Sequence, residues 1–534
     1  MGKSVGLVLI LAANVIAQPA HAPPGEKPAA LLKGMGKYGH AIQTRNPEAQ
    51  KFFDQGLNLL YGFNRYEALR AFRRASELDP KALMPHWGAA MAQGPHINMD
   101  TDVDYAPKDY CAELKQAQSL RAAAPKGEQY YLDTAVVRCP EHDAAAYAAA
   151  ARRLANRYPD DLDAQALLAE ALMVPTRWRW WSPDGVAAEG VQEAIGVLEG
   201  ILRRNPDHPG ANHFYIHAVE SSPSPERAIP SAQRLMGLVP AAGHLVHMPG
   251  HIWLILGDYE MAAAVNDRAA QVDREYMQAT GVTASSYAGY YVHNLHFVAV
   301  ARAMQGRKDD AVRAARQVAE AAAPFVEPMA MMVDAFVPLP LFAYLRFQMW
   351  DQILAEKAPA AGLLATQAMY HYARASALGA KGRMAEARQE QQQFQNAAAK
   401  VPEDWIWLNN KARELVAIAA AVLDARLAGS DRQSVPHWRK AVGLEDRLVY
   451  DEPPPWFFPL RESLGGALLR SGQAAEAEVV FREGLKRKPR NGRMLFGLLE
   501  SLKAQEKKDA ASMVAKELEA AWKRADVRLR IEDL

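Results

Sequence analysis

The sequence predicts an all-α fold built from repeated helix-turn-helix units, and three observations carry that expectation. Alanine-rich stretches such as "AAAYAAAARRLA" and "ELVAIAAAVLDARLA" favour helix by intrinsic propensity. No long alternation of Val, Ile and Thr argues for a sheet. A set of small and aromatic residues recurs at fixed spacing near both ends. Gly56, Ala68, Phe72 and Pro80 in "GLNLLYGFNRYEALRAFRRASELDP" are separated by twelve, four and eight residues, and Gly465, Ala477, Phe481 and Pro489 in "GGALLRSGQAAEAEVVFREGLKRKP" by the same three intervals.

Taken in chain order, residues 1–22 stand apart. "MGKSVGLVLILAANVIAQPAHAPP" has Lys3, an apolar stretch from Val5 to Ala17 and small residues after it, the layout of a secretory signal peptide. Ala20-His21-Ala22 is one cleavage site, with Pro23 unfavourably placed after it, and Val15-Ile16-Ala17 is the alternative. An uncleaved anchor is the competing reading, although the apolar run is short for a membrane span. No later stretch is apolar enough to cross a bilayer, so the expected location is periplasmic or secreted, without a transmembrane segment in the mature chain. Residues 23–44 are expected to be a flexible mature N-terminus, and 45–530 the helical array.

Export gives the two cysteines meaning. Cys111 and Cys139 lie fourteen residues either side of Pro125, in "RAAAPKGEQ", which reads as a turn between helices. Residues equidistant from the turn of an antiparallel hairpin face each other, so a Cys111–Cys139 disulfide is expected in an oxidising compartment, with two separate buried thiols as the alternative.

The recurring set resembles the tetratricopeptide repeat, a helix-turn-helix in which small residues let the helices approach and proline closes the second. The middle of the chain follows the pattern more loosely. "HMPGHIWLILGDYEMAAAV" supplies Gly250, Gly257, Tyr259 and Ala262. "HNLHFVAVARAMQGRKDDAV" supplies Gly306 and Ala311, "HYARASALGAKGRMAEA" supplies Gly382 and Ala387, and "NHFYIHAVESSPSPERAIPSAQRLMGLVP" supplies Ala228 and Pro240. Insertions interrupt the stacking, most visibly "PTRWRWWSPDG" at 175–185. The resemblance implies a right-handed superhelical solenoid whose first helices line a concave groove, and exported bacterial proteins of this repeat class are similar in their histidine succession.

Counting from each repeat's alanine exposes a histidine register. His213, His247 and His296 each lie fifteen residues before Ala228, Ala262 and Ala311. His217 and His251 lie eleven before theirs, His244 and His293 eighteen before theirs, and Glu220 follows His217 by three. Seven of the 15 histidines thus fall between 213 and 296, in the repeats at about 205–315. The resemblance implies that these places face the groove. Neutral imidazole binds zinc, copper, iron and nickel. The expected site is therefore a transition-metal site (zinc, copper or iron) formed by His213, His217, Glu220, His244, His247, His251, His293 and His296, holding either two or more ions or one ion with the surplus rings as proton carriers and supports, with redox or hydrolytic catalysis as one use of it. The alternative is a non-catalytic scaffold that binds a peptide or protein partner in the groove.

Weaker candidates surround this set. "GPHINMD" offers His96, Asn98 and Asp100, and Trp178, Trp180 and Trp181 would form an aromatic wall or simply pack. Tyr215, Tyr287, Tyr290 and Tyr291 flank the histidines, and Asp451 and Glu452 sit in a proline-rich connector. His208 and His371 do not fit the register. Lys+Arg (62) nearly balances Asp+Glu (61), so the net charge of +1 gives no electrostatic reason to expect nucleic acid or an anionic membrane.

Overall fold

The computed structural model describes residues 26–98, 107–282 and 287–534, so the export segment and Asp100 lie outside the described residues. Helix dominates both of its compact units, as expected from composition. The first comprises Met1–Ile252 with Asp267–Tyr291, and the second Trp253–Asn266 with Val292–Leu534. A two-stranded antiparallel sheet, Ile406–Trp407 with Asn410–Lys411, is the β-structure the sequence did not suggest. Its strands are only two residues long and carry no alternation to read. Among the described residues no helix is long and apolar enough to cross a membrane.

In the first unit, Pro47–Tyr61 and Arg65–Leu78 form the helical pair that opens the repeats. Asn46 caps the former by accepting from the Glu48 and Ala49 N–H groups, and Pro47 sits where no donor is needed. Phe72 is fully buried between two glycines: a Cβ at Gly56 would lie 2.7 Å from its ring, and one at Gly88 2.5 Å. The second unit repeats the device. Phe481 is fully buried, with a Cβ at Gly465 placed 2.5 Å and one at Gly497 2.1 Å from its ring. The glycines of the register therefore serve helix approach. Gly497→Ala is expected to destabilise the protein by about 1–3 kcal/mol, the usual cost of overpacking a filled core. Unchanged urea unfolding would show that the Phe481 ring can give way.

Part of the segment expected to be a flexible N-terminus is tied along the first helix. Gln55 accepts from the Leu32 N–H at 2.7 Å and donates to the Ala30 carbonyl at 2.9 Å, while Asn58 donates to the Tyr38 carbonyl at 2.8 Å. Paired backbone groups, rather than apolar pattern, hold it, which is why composition did not reveal it.

Cys111, on Pro107–Leu120, and Cys139, just beyond Lys126–Val136, are disulfide-bonded with Cα atoms 5.8 Å apart. Closing a loop of this size contributes roughly 3 kcal/mol in the chain-entropy model. Cys139→Ser is expected to lower the unfolding free energy by about that amount, and equal stability of reduced and oxidised protein would contradict it.

The second unit has its own buried ionic core. Glu462 pairs with Arg346 at 3.0 Å and accepts from Asn491 at 2.7 Å, joining three helices.

Candidate metal centre

The helix Pro209–Glu220 carries the first half of the site. His208 caps it, its Nδ1 accepting from the Ala211 N–H at 3.2 Å. The helix packs against Pro47–Tyr61 and Leu162–Met173. Gly210 permits the contact, because a Cβ there would fall 2.4 Å from the Tyr61 ring. One turn on, His213 Nδ1 lies 2.5 Å from the Tyr61 carbonyl oxygen. That carbonyl ends its helix and has no intrahelical partner, so the imidazole donates to it through Nδ1 and its Nε2, in the neutral ring, is an acceptor.

Glu220 orients the next two rings. One carboxylate oxygen accepts from His217 Nδ1 at 2.8 Å, and the other accepts from His251 Nδ1. Burial pushes this carboxyl up, but His251 and His217 outweigh it and hold the group at about 2, ionised at neutral pH. Both rings therefore keep the proton on Nδ1. The His217 Nε2 atom is buried with no hydrogen-bond partner.

The second half comes from "HLVHMPGH". Here two short helices, Gly243–His247 and Pro249–Ile255, abut at Met248. Pro249 has no N–H to continue the ladder. Met248 nevertheless keeps right-handed helical angles (φ −50°, ψ −37°), so the histidines retain a shared direction. The start of the first short helix is fixed by Tyr287, whose hydroxyl donates to Asp273 at 2.8 Å and accepts from the His244 N–H at 3.2 Å.

These elements converge. His244 Nε2 stands 3.2 Å from His213 Nε2, and the ligating nitrogens of His213, His217 and His244 all lie within 4.8 Å of one another. A tetrahedral ion with metal–nitrogen distances of about 2.0–2.1 Å requires nitrogens about 3.3–3.4 Å apart, which the His213–His244 pair approaches, at a distance that also suits an imidazole–imidazole hydrogen bond. His217, Glu220 and His251 form an adjoining group within the same limit, and His247 Nε2 lies 2.8 Å from His251 Nε2. All six residues are at most 1% exposed, so they are buried rather than displayed on an open groove. Burial, and after it the neighbouring imidazoles, holds His213 and His244 well below the usual imidazole range. Burial also lowers His217, against the pull of Glu220. Burial thus favours the neutral form of His213, His217 and His244, the state a metal requires.

His293 and His296, placed by register in the same site, lie on the helix Ala288–Met304, in the part of it that belongs to the second unit. His293 packs edge-on against Phe297 at 5.1 Å. His296 stands against Phe336 at 5.7 Å, and burial holds it at about 3. For His296, equal register gives an equal backbone position but not equal surroundings.

The weaker candidates separate. Trp181 donates to the Ala218 carbonyl at 2.8 Å and Trp180 to the Met173 carbonyl at 2.9 Å, which pins the insertion beside the histidine helix. Trp178 and Trp180 place their rings 5.6 and 5.9 Å from that of His217. Tyr290 packs on His244 at 4.4 Å, whereas Tyr215 donates to Glu199 and Tyr291 sits by Arg274. His96 is buried against Phe63, and Asn98 donates to it through its backbone N–H. Asp451 accepts from Asn409 and Asn410, a loop brace.

A second polar cluster escaped the sequence reading. Asp163 accepts from Tyr61 at 2.5 Å and Tyr38 at 2.9 Å, and pairs with His40 at 2.8 Å. Its neighbour Asp161 caps its helix and accepts from Tyr131. These oxygens are taken by protein donors, so the cluster reads as a brace. Burial pushes Asp163 up, but His208 and His40 hold it far below the ordinary carboxylate range. A depressed carboxyl stabilises the fold above its unfolded pKa of about 3.9 and loses that contribution as pH falls further. Asp163→Asn is therefore expected to cost about 3–5 kcal/mol at pH 7, with the gap to wild type narrowing at pH 3. A pH-independent gap would refute the ion-pair account.

No protein-family model matches the chain, and no characterised protein matches it by sequence. Solved structures with helical likeness include the human IFIT1 dimer with m7Gppp-AAAA, at 11% identity and a TM-score of 0.34, covering 88% of this chain and 95% of that one. Yeast Tom70 is similar at 13% identity and a TM-score of 0.30, covering 89% and 93%.

Proposed function

We propose that this chain is an exported helical-repeat protein that binds a transition-metal ion through His213, His217 and His244. Glu220 fixes the His217 ring from behind and orients His251 as well, and His251 and His247 continue the imidazole set. The observation that carries the reading is the set of converging nitrogens. His213 Nε2 faces His244 Nε2, and His217 Nε2 is buried beside them without a partner. An orphaned buried acceptor is costly unless something binds it. The carboxylate–imidazole arrangement is the one that sets tautomer and ring direction in metal sites.

Three neutral imidazoles suit zinc, copper or iron and leave a coordination position for water. That position is what redox or hydrolytic catalysis would use. Export is supported by the character of residues 1–22 and by the bonded cysteines, which fit a periplasmic or secreted setting.

Elemental analysis of metal-replete full-length protein tests the proposal. About one zinc, copper or iron per chain is expected. Protein free of zinc, copper, iron, manganese and nickel would defeat it and favour the non-catalytic scaffold for a peptide or protein partner.

A further inference from the structure

Among the described residues of the first unit, two non-glycine residues have left-handed backbone, Phe63 at φ 53° and Trp178 at φ 60°. Bulky side chains avoid this region, and strain there gathers where function demands a particular side-chain position. The rings of both lie against the same imidazole, His217, at 6.3 Å for Phe63 and 5.6 Å for Trp178.

Phe63 also departs from its own repeat. It lies five residues before Ala68, and the residues five before Ala262, Ala311, Ala387 and Ala477 are Gly257, Gly306, Gly382 and Gly472. Those glycines have φ from 71° to 83°, so the turn asks for left-handed backbone in every case. Gln348 and Glu506 hold a similar angle with side chains that reach solvent, whereas Phe63 is 3% exposed. Its ring is turned inward, 4.5 Å from His213 and 5.2 Å from His244. A glycine or a polar residue would have satisfied the turn. The aromatic ring satisfies the space beside the imidazoles.

Trp178 is placed by different means. Trp180 and Trp181 anchor the insertion to the Met173 and Ala218 carbonyls, and Trp178, 5.5 Å from Trp180 and edge-on to His217, is partly exposed.

We propose that Phe63 and Trp178 are the inner and outer aromatic walls of the centre, and that they restrict the ion's open position to small ligands of the size of water or a linear triatomic anion. This rests on the metal reading above. Apolar walls control solvent access and ligand size without supplying a donor.

The test uses the full-length protein loaded with cobalt(II), whose visible spectrum reports coordination, together with azide and imidazole as probes. Wild type is expected to respond to azide and not to imidazole. Trp178→Gly, which suits the left-handed backbone, is expected to respond to both, with imidazole affinity raised on the order of 10-fold or more and the thermal midpoint retained. Phe63→Asn, also tolerated at that φ, provides a second opening should Trp178→Gly fail to fold. Wild type that accepts imidazole as readily as azide would overturn the proposal, as would folded variants whose probe response matches wild type. Failure of wild type to take up cobalt at all would instead count against the metal reading.

Discussion

His217→Ala is expected to purify with little or no metal while keeping its helix content. His217 belongs to both groups of converging donors, so one substitution removes a ligand from the first and the oriented ring from the second. Loss of a direct ligand exceeds the 10–100-fold weakening typical when only an orienting partner is removed, so a fall in affinity of more than about 100-fold is expected. The helix should survive, since Phe214, Ile216 and Ala218 are buried at 0–2% exposure and hold its packing independently of the ring. Metal analysis with circular dichroism on the same sample decides the matter. Full retention of metal by a folded His217→Ala protein would remove the centre from consideration.

Glu220→Ala should act on stability and on metal together. The carboxylate is 1% exposed and receives two Nδ1–H groups. Removing it strands both donors in the interior, at a cost of about 3–5 kcal/mol for breaking a buried, hydrogen-bonded charge arrangement. Metal affinity is expected to fall about 10–100-fold, because both rings lose the partner that fixes tautomer and direction. Glu220→Gln separates the effects. Its amide oxygen can accept from one ring, but its NH2 group meets the other ring's donor, so shape is kept and one imidazole must turn or change tautomer. Urea unfolding of the metal-free variants measures the stability cost, and zinc competition measures the affinity. If Glu220→Gln matched wild type in both, the carboxylate charge would have no part in ordering the site.

The all-α class, the Gly–Ala–Phe–Pro register and the pairing of Cys111 with Cys139 were legible because each depends on local relations. Helix propensity, the small residue opposite Phe72 or Phe481, and equal distance from a turn are all properties of spacing along the chain. The register also picked out His213, His217, Glu220, His244, His247 and His251, since a helix brings residues three or four apart onto one face. Spacing could not say what each face meets. His213 finds the Tyr61 carbonyl 152 residues away, while His296, at the matching place in its repeat, finds Phe336. Phe63 carried a local clue, an aromatic residue where four other repeats have glycine, but its meaning depended on the four imidazole rings that folding brings around it. The His40–Asp163 brace carried no clue at all, because its two halves are 123 residues apart. What the sequence determined is the set of helices and the side of each that bears histidine. What the tertiary structure decided is which rings meet, and that His213 and His251 are hydrogen-bonded through Nδ1, for their acceptors are contributed by distant parts of the chain.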